Sequence, residues 1–232
     1  MNVLVTRQEK QSGEMMEMLK GIGCEPFLLP LIETVSVKAD IPDLEFDVVV
    51  FTSTNAVDSF VPYFRSTKYK WVVAVGIKTK EVLENLDIPC DGMPSEFSSE
   101  GLKRYFDEID VKGKRFLLPG PRKRMGNFIE YLEERGAEVH NVVTYETLHK
   151  IYPDGFVDNC LKDNDIDIIT LTSPSCAQSL LKQTEDLGGY RVVCVGKTTG
   201  EYLENRGVKA YWPDRYTVRD MVELIAEMNK GD

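Results

Sequence analysis

The sequence predicts an α/β fold made of two similar domains, and two features of the 232-residue chain lead to this prediction. Short runs of β-branched and other apolar residues alternate with amphipathic stretches along the whole chain, a pattern typical of parallel strands connected by helices. In addition, segments of the first half recur in the second half at a constant spacing, which indicates a duplicated unit. We therefore expect parallel sheets with right-handed helical crossovers on both faces.

The predicted strands are apolar on both faces, as in sheets that are covered by helices on both sides. In chain order they span residues 2–5, 47–51, 71–75, 115–118, 167–171 and 191–195. Between them, residues 9–21 and 122–135 are predicted to be helical. Met15 and Leu19 share one face of the first helix, and Phe128 and Leu132 share one face of the second.

The internal repeat has two parts. Residues 51–60 and 74–85 match residues 171–180 and 194–205 at a spacing of 120, and residues 3–34 match residues 116–147 at a spacing of 113. The first match continues, after a slip of one residue, from Pro94 onto Pro213. The chain therefore consists of four segments, of which the third repeats the first and the fourth repeats the second. Repetition alone leaves open whether the first domain combines segments one and two or segments one and four.

The composition excludes several classes of protein. With 28 Lys plus Arg against 38 Asp plus Glu, the net charge is −10, which disfavours a general nucleic-acid binder. No apolar run approaches the roughly 18 residues that span a bilayer, and the first residues are unlike a signal peptide. We therefore expect a cytoplasmic protein without nucleic-acid or membrane partners. The five cysteines include no C-x-x-C pair and predict reduced core thiols, and two histidines make a His-built metal site improbable, so no metal is expected.

Polar residues that follow the predicted strands indicate a ligand site. Thr52 with Ser53, and the equivalent Thr172 with Ser173, end one strand and open the next helix. Free N–H groups at such helix starts bind anions, and open α/β sheets bind ligands at the carboxyl ends of their strands. The same argument covers Gly76 with Thr79, and Gly196 with Thr198. The alternative is that these residues are ordinary helix caps.

Basic residues follow two equivalent strands. Arg7 comes after the first strand, and Arg122 and Arg124 come after its repeat partner. Positive charge at both places favours an acidic ligand. The alternative is a solvated basic run at the start of a helix.

Taken in order, the motifs resemble those of the uroporphyrinogen-III synthase family over nearly the full length. They include VLVTR, LLPLIE, FDVVVFTSTNAV, AVGIKTKEVL, FSSEGL, GKRFLLPG, VVTYET, ITLTSPSCAQSL, CVGKTTGEYL and YTVRDMVELI. The resemblance implies two flavodoxin-like domains that face each other across an open cleft, with no metal or organic cofactor. It also implies that residues 1–34 plus 149–232 form one domain and residues 36–147 the other, with linkers at about 35–40 and 148–153.

The reaction implied by the resemblance is the cyclisation of hydroxymethylbilane to uroporphyrinogen III, with inversion of ring D and loss of water. We expect a monomer that uses this acidic small molecule as its substrate, with a transient hand-over from hydroxymethylbilane synthase. Two alternatives remain at this point. One is a two-lobed protein that binds an acidic small molecule, and the other is a flavodoxin-like electron carrier, which would need a flavin.

The resemblance also suggests site residues. The family's tyrosine in the pattern V-x-Y-x-T falls on Tyr145, which is predicted to be catalytic. Together with the basic residues above, the residues predicted to bind substrate are Arg7, Thr52, Ser53, Asn55, Gly76, Lys78, Thr79, Ser98, Arg122, Arg124, Ser173, Ser175, Gly196 and Thr198.

Overall fold

The computed structural model describes residues 1–124, 126–184 and 186–230. It divides into two units, Met1–Glu33 with Leu148–Asp232 (unit 1) and Thr34–Thr147 (unit 2). The strands are β1 Asn2–Val5, β2 Glu25–Leu28, β3 Ile32–Ser36, β4 Glu45–Phe51, β5 Lys68–Ala74, β6 Arg115–Pro121, β7 Glu138–His149, β8 Ile168–Leu171, β9 Arg191–Cys194 and β10 Ala210–Tyr211. The helices are α1 Gly13–Gly21, α2 Thr54–Phe60, α3 Ile77–Glu84, α4 Ser99–Asp107, α5 Phe128–Glu134, α6 Phe156–Asp163, α7 Pro174–Leu180, α8 Lys197–Glu204 and α9 Val218–Lys230.

The predicted strands are confirmed, with ends that differ by three residues at most. The two predicted helices are shorter than expected. In the first, a 3-10 turn at Glu9–Gln11 precedes α1, and the Ser12 hydroxyl donates to the carbonyl of Gln8 at 2.9 Å, which competes with regular helical bonding. In the second, α5 begins only at Phe128, because Gly126 has a φ of 85° that a right-handed helix cannot contain.

Unit 1 contains a parallel sheet with strand order β10-β9-β8-β1-β2. Counted along the chain, this order is the flavodoxin-like arrangement 2-1-3-4-5. It joins the first and last repeat segments, since β1 pairs directly with β8, for example Val3 with Ile168.

Unit 2 has the order β3-β7-β6-β4-β5, in which β4 to β7 pair in parallel. By the repeat, β6 and β7 correspond to β1 and β2, while β4 and β5 correspond to β8 and β9. The four corresponding strands therefore have the same spatial order in both units, whereas β10 and β3 lie at opposite edges of this order. In unit 2 the chain enters at the second half of the pattern. Unit 2 is a circularly permuted copy of unit 1. The chain passes between the units within β3 and β7, which are neighbours in one sheet.

Matching hydrogen bonds show that the repeat positions are equivalent in three dimensions. The amide of Asn2 donates to Asp167 Oδ2 at 2.7 Å, and the amide of Arg115, 113 positions later, donates to Asp47 Oδ2 at 3.0 Å. After the helices α1 and α5, the equivalent glycines Gly23 and Gly136 adopt φ values of 77° and 80°.

Each unit has its own core on both faces of its sheet. In unit 1, Leu4 faces one apolar cluster and Val3 the other. In unit 2, Val49 faces one cluster, and Val48 and Val50 face the opposite one. Helices cover both faces, as the apolar strands predict. Among the described residues, no helix is long and apolar enough to cross a membrane.

Candidate functional site

A cavity of about 360 Å³ opens at the carboxyl ends of the strands of unit 2. It brings together a subset of the predicted site residues: Thr52, Ser53, Ser98, Arg124 and Tyr145. Apolar side chains form the rest of its wall, among them Phe97, Leu102, Phe128 and Ile129. The site thus has the usual form of a small-molecule pocket, an apolar surface with a few polar groups.

Tyr145 and Ser53 form the polar pair of this cavity. Ser53 is the N-cap of α2, and its Oγ accepts from the amide of Ala56 at 3.2 Å. Tyr145 lies on β7 and is only 6% exposed, and its hydroxyl is 3.2 Å from Ser53 Oγ. When Ser53 donates to Tyr145, the phenolic proton is available for another acceptor.

Arg124 is held at the edge of the cavity by two hydrogen bonds. Its Nε donates to Asn141 Oδ1 at 2.7 Å, and its Nη2 donates to the carbonyl of Leu118 at 2.5 Å. Burial lowers the pKa of the Arg124 guanidinium below its ordinary value. Arg122 differs, because its side chain is exposed, pairs with Glu146 at 2.6 Å and does not line the cavity.

The other predicted residues of unit 2 lie at neighbouring helix starts. Ser98 is the N-cap of α4, and its Oγ accepts from the amide of Gly101 at 3.0 Å. Gly76 precedes α3 with a φ of 95°, and Lys78 on α3 is exposed. Thr79 is 4% exposed, so its side chain faces the interior. The Nδ2 of Asn55 donates to Thr34 Oγ1 at 3.4 Å.

In unit 1, the predicted residues lie at the equivalent edge of the other sheet. Ser173 is the N-cap of α7, accepts from the amide of Cys176 at 3.2 Å and precedes Pro174 in the first turn. Ser175 in the same turn is half-buried. Arg7 follows β1, and its Nη2 donates to Gln11 Oε1 at 3.2 Å.

At the start of α8 in the same unit, Thr198 is exposed and Gly196 is buried. The backbone of Gly196 is extended, and a Cβ there would lie 2.8 Å from the Tyr216 ring. This close approach requires glycine.

Two aromatic residues at these helix starts were missed by the sequence reasoning. Phe97 in unit 2 and Tyr216 in unit 1 are 52% and 59% exposed, and each ring lies next to the glycine that opens the preceding helix, Gly76 and Gly196. The match of Pro94 onto Pro213 pairs the two aromatics and could have identified them.

The thiols are unpaired, as predicted, but Cys90 and Cys160 are only partly buried and do not lie fully in the core. The five cysteines are free, and Cys24, Cys176 and Cys194 are buried. Burial raises the pKa of Cys194 to about 12, which makes this thiol unreactive. In the part of the chain that the structure describes, no group of three or more His, Cys, Asp or Glu residues could hold a metal ion.

Comparison with known proteins identifies one family. Residues 13–223 match the model described as Uroporphyrinogen-III synthase HemD. A uroporphyrinogen-III synthase from Chlorobaculum parvum is 27% identical over 243 residues, which cover 98% of this chain and 99% of that protein.

Solved structures support the two-domain fold. A uroporphyrinogen-III synthetase from Helicobacter pylori superposes with a TM-score of 0.71 at 19% identity and covers 98% of both chains. A mutant uroporphyrinogen III synthase from Thermus thermophilus gives a TM-score of 0.61 at 16% identity and covers 100% of this chain and 99% of its own.

Proposed function

The chain belongs to the uroporphyrinogen-III synthase family, and from this premise we propose that it cyclises hydroxymethylbilane to uroporphyrinogen III in tetrapyrrole biosynthesis. The observation that best supports a site for this reaction is the hydrogen-bonded pair of Tyr145 and Ser53 in the wall of the unit 2 cavity. It puts a proton donor beside an apolar surface that suits a pyrrole ring.

The reaction begins when the hydroxyl group of ring A leaves as water, which requires a proton. In our proposal Tyr145 donates or shares this proton, while the Ser53 hydroxyl donates a hydrogen bond to the phenolic oxygen and stabilises the charge that develops there. Ring D then attacks through its substituted carbon to give a spiro intermediate. The original bond between ring D and its bridge to ring C then breaks, and this bridge closes onto the other α-carbon of ring D. Loss of the proton from that carbon completes the inversion and balances the proton used when water left.

We expect most of the rate enhancement to come from holding the bound substrate in one folded conformation. Hydroxymethylbilane closes in water without inversion, so the enzyme has to hold one folded conformation and assist the loss of hydroxide. The helix starts at Ser53, Gly76, Ser98, Ser173 and Gly196 supply backbone N–H groups, which suit the carboxylates of the substrate. Because these N–H groups are close to the ligand, an acidic protein can still bind an acidic ligand at this site.

The same proposal covers the cellular location of the enzyme, its oligomeric state and the source of its substrate. We propose a cytoplasmic monomer that receives its substrate from hydroxymethylbilane synthase by transient contact. The instability of the substrate in water supports a direct hand-over.

The test is incubation with hydroxymethylbilane, made in place by hydroxymethylbilane synthase, followed by isomer analysis of the oxidised products. We expect mainly the type III isomer. Type I product at the level of a control without enzyme would contradict the proposal and favour the two-lobed binding protein.

A further inference from the structure

The loops after the equivalent strands β1 and β6 each present a half-buried guanidinium, but from different positions of the repeat. At the spacing of 113 residues, Arg7 corresponds to Gly120, and Gln11 corresponds to Arg124. Unit 1 therefore has Arg followed by Gln at these two positions, and unit 2 has Gly followed by Arg. The basic residue and the neutral residue have exchanged places.

In unit 2, the Arg124 side chain lies against the repeat partner of Arg7, which is Gly120. Gly120 is buried and its φ is not in the left-handed region, so only the available space limits its side chain. A Cβ at Gly120 would lie 2.8 Å from the Cζ of Arg124. The guanidinium of Arg124 thus fills the space into which a side chain at position 120, the repeat partner of Arg7, would project. In unit 1, the Arg7 side chain in turn contacts Gln11.

The two guanidiniums also have equivalent neighbours. Arg124 lines the cavity with Ser53, the N-cap of α2. Arg7 interacts electrostatically with Cys176, which lies in the first turn of α7 and bonds to its N-cap Ser173. Ser53 and Ser173 are themselves repeat partners, at a spacing of 120.

Both cations are partly buried, and Glu14 is the carboxylate that interacts electrostatically with Arg7. Burial lowers the pKa of Arg7 and of Arg124, which means that both cations are partly removed from water. Among the described residues, the buried Nε of Arg7 has no hydrogen-bond partner. A buried, incompletely paired cation costs free energy, and an anionic ligand would recover it.

We propose that Arg7 and Arg124 are equivalent carboxylate-binding residues, one in each unit, and that each holds a carboxylate side chain of the linear tetrapyrrole. A guanidinium suits this role because its parallel N–H groups bind both oxygens of a carboxylate. This inference rests on the proposed function. Beyond that function, the inference states that two arginines at different repeat positions have the same role. Carboxylate binding then depends on the presence of a guanidinium and not on which of the two repeat positions carries it.

The experiment moves the guanidinium within its own unit. Arg124→Gln should raise KM for hydroxymethylbilane about 10- to 100-fold, the value of a charge-assisted hydrogen bond, with a smaller change in kcat. The double variant Gly120→Arg with Arg124→Gln copies the arrangement of unit 1 and should recover most of the loss. In unit 1, Arg7→Gln should raise KM, and Arg7→Gly with Gln11→Arg should recover it.

The matched control is Arg115→Gln, which removes an exposed cation at the opposite end of β6, where it pairs with Glu138. This variant should keep the KM of the wild type. A second measurement is the increase in Tm that uroporphyrinogen III causes, which should shrink in both single variants and return in the double variants. If Arg124→Gln does not fold, Arg124→Lys, which keeps the charge but loses the paired donors, should still raise KM.

The possible failures are distinguishable. If the wild type forms no type III isomer, the proposed function fails. If the wild type is active and the single variants keep KM within about twofold, the carboxylate role is overturned, since a lost charge-assisted bond costs more than this. If the single variants lose affinity and the double variants do not recover it, the equivalence of the two arginines is overturned.

Discussion

At the residue scale, Tyr145 is the clearest difference between two equivalent positions. Its repeat partner, 113 residues earlier, is Ile32, and both side chains are largely buried at the edge of a core. The shared fold therefore needs an apolar residue here but no hydroxyl group. The phenol, with its bond to Ser53, is an addition that unit 2 alone has at this position.

We predict that Tyr145→Phe slows formation of the type III isomer by roughly 10²- to 10⁴-fold, the usual contribution of a general acid, without abolishing it. The free energy of unfolding should fall by about 1 kcal/mol, because a single hydrogen bond to Ser53 is lost while the ring still packs. Isomer-resolved kinetics and thermal denaturation measure the two effects.

Tyr69→Phe is the control, since Tyr69 lies on β5 of the same unit, does not line the cavity and should tolerate the change. Full activity of Tyr145→Phe, together with loss of activity in Ser173→Ala or Thr198→Ala, would show that the helix-start loops act without an acid.

At the element scale, the helix starts follow directly from local sequence. Ser53, Ser98 and Ser173 each accept a hydrogen bond from the amide three residues later. The expectation that such residues cap helices is confirmed, and the same geometry leaves the N–H groups at the ligand-binding edge. One motif can therefore both cap a helix and contribute to an anion-binding site.

Helix α8 contains a glycine whose substitution should have an unusual effect. Gly200 is buried, and a Cβ there would overlap the indole ring of Trp212. Alanine normally stabilises a helix relative to glycine by about 1 kcal/mol. We predict instead that Gly200→Ala lowers the free energy of unfolding by about 1–3 kcal/mol, the range for overpacked cores.

The matched variant is Gly21→Ala in α1, where no atom lies within 4 Å of the added Cβ. This variant should be neutral or more stable than the wild type. Denaturant unfolding of both variants measures the difference, and a stabilised Gly200→Ala would show that Trp212 moves aside without cost.

At the scale of the whole molecule, each unit has a complete sheet and two apolar clusters of its own. Unit 2 is continuous in sequence, whereas unit 1 needs both ends of the chain. We predict that a fragment of residues 34–147 folds by itself and unfolds cooperatively. A fragment of residues 148–232 should not fold, because it lacks β1, which lies between β8 and β2.

Circular dichroism and thermal denaturation of the two fragments test this. Cooperative unfolding of 148–232 alone would contradict the prediction. Addition of a peptide of residues 1–33 should restore structure to 148–232, and it should leave 34–147 unchanged.

The sequence alone determined the properties that depend on neighbouring residues. Runs such as 47–51 indicate strands that are buried on both faces, and Ser53 and Ser173 mark helix starts, because capping involves only the next three residues. The duplication, too, is visible in the sequence at the spacings of 113 and 120.

Only the tertiary structure decided which copies share a sheet. Segments two and four have the same pattern, so either could complete a sheet with segment one, and long-range pairing such as Val3 with Ile168 makes the choice. Likewise, the repeat pairs Arg7 with Gly120 and Gln11 with Arg124, but only the structure shows that the Arg124 guanidinium occupies the space beside Gly120. Contacts between distant residues, rather than local preference, determine both the permuted domain and the charge in its site.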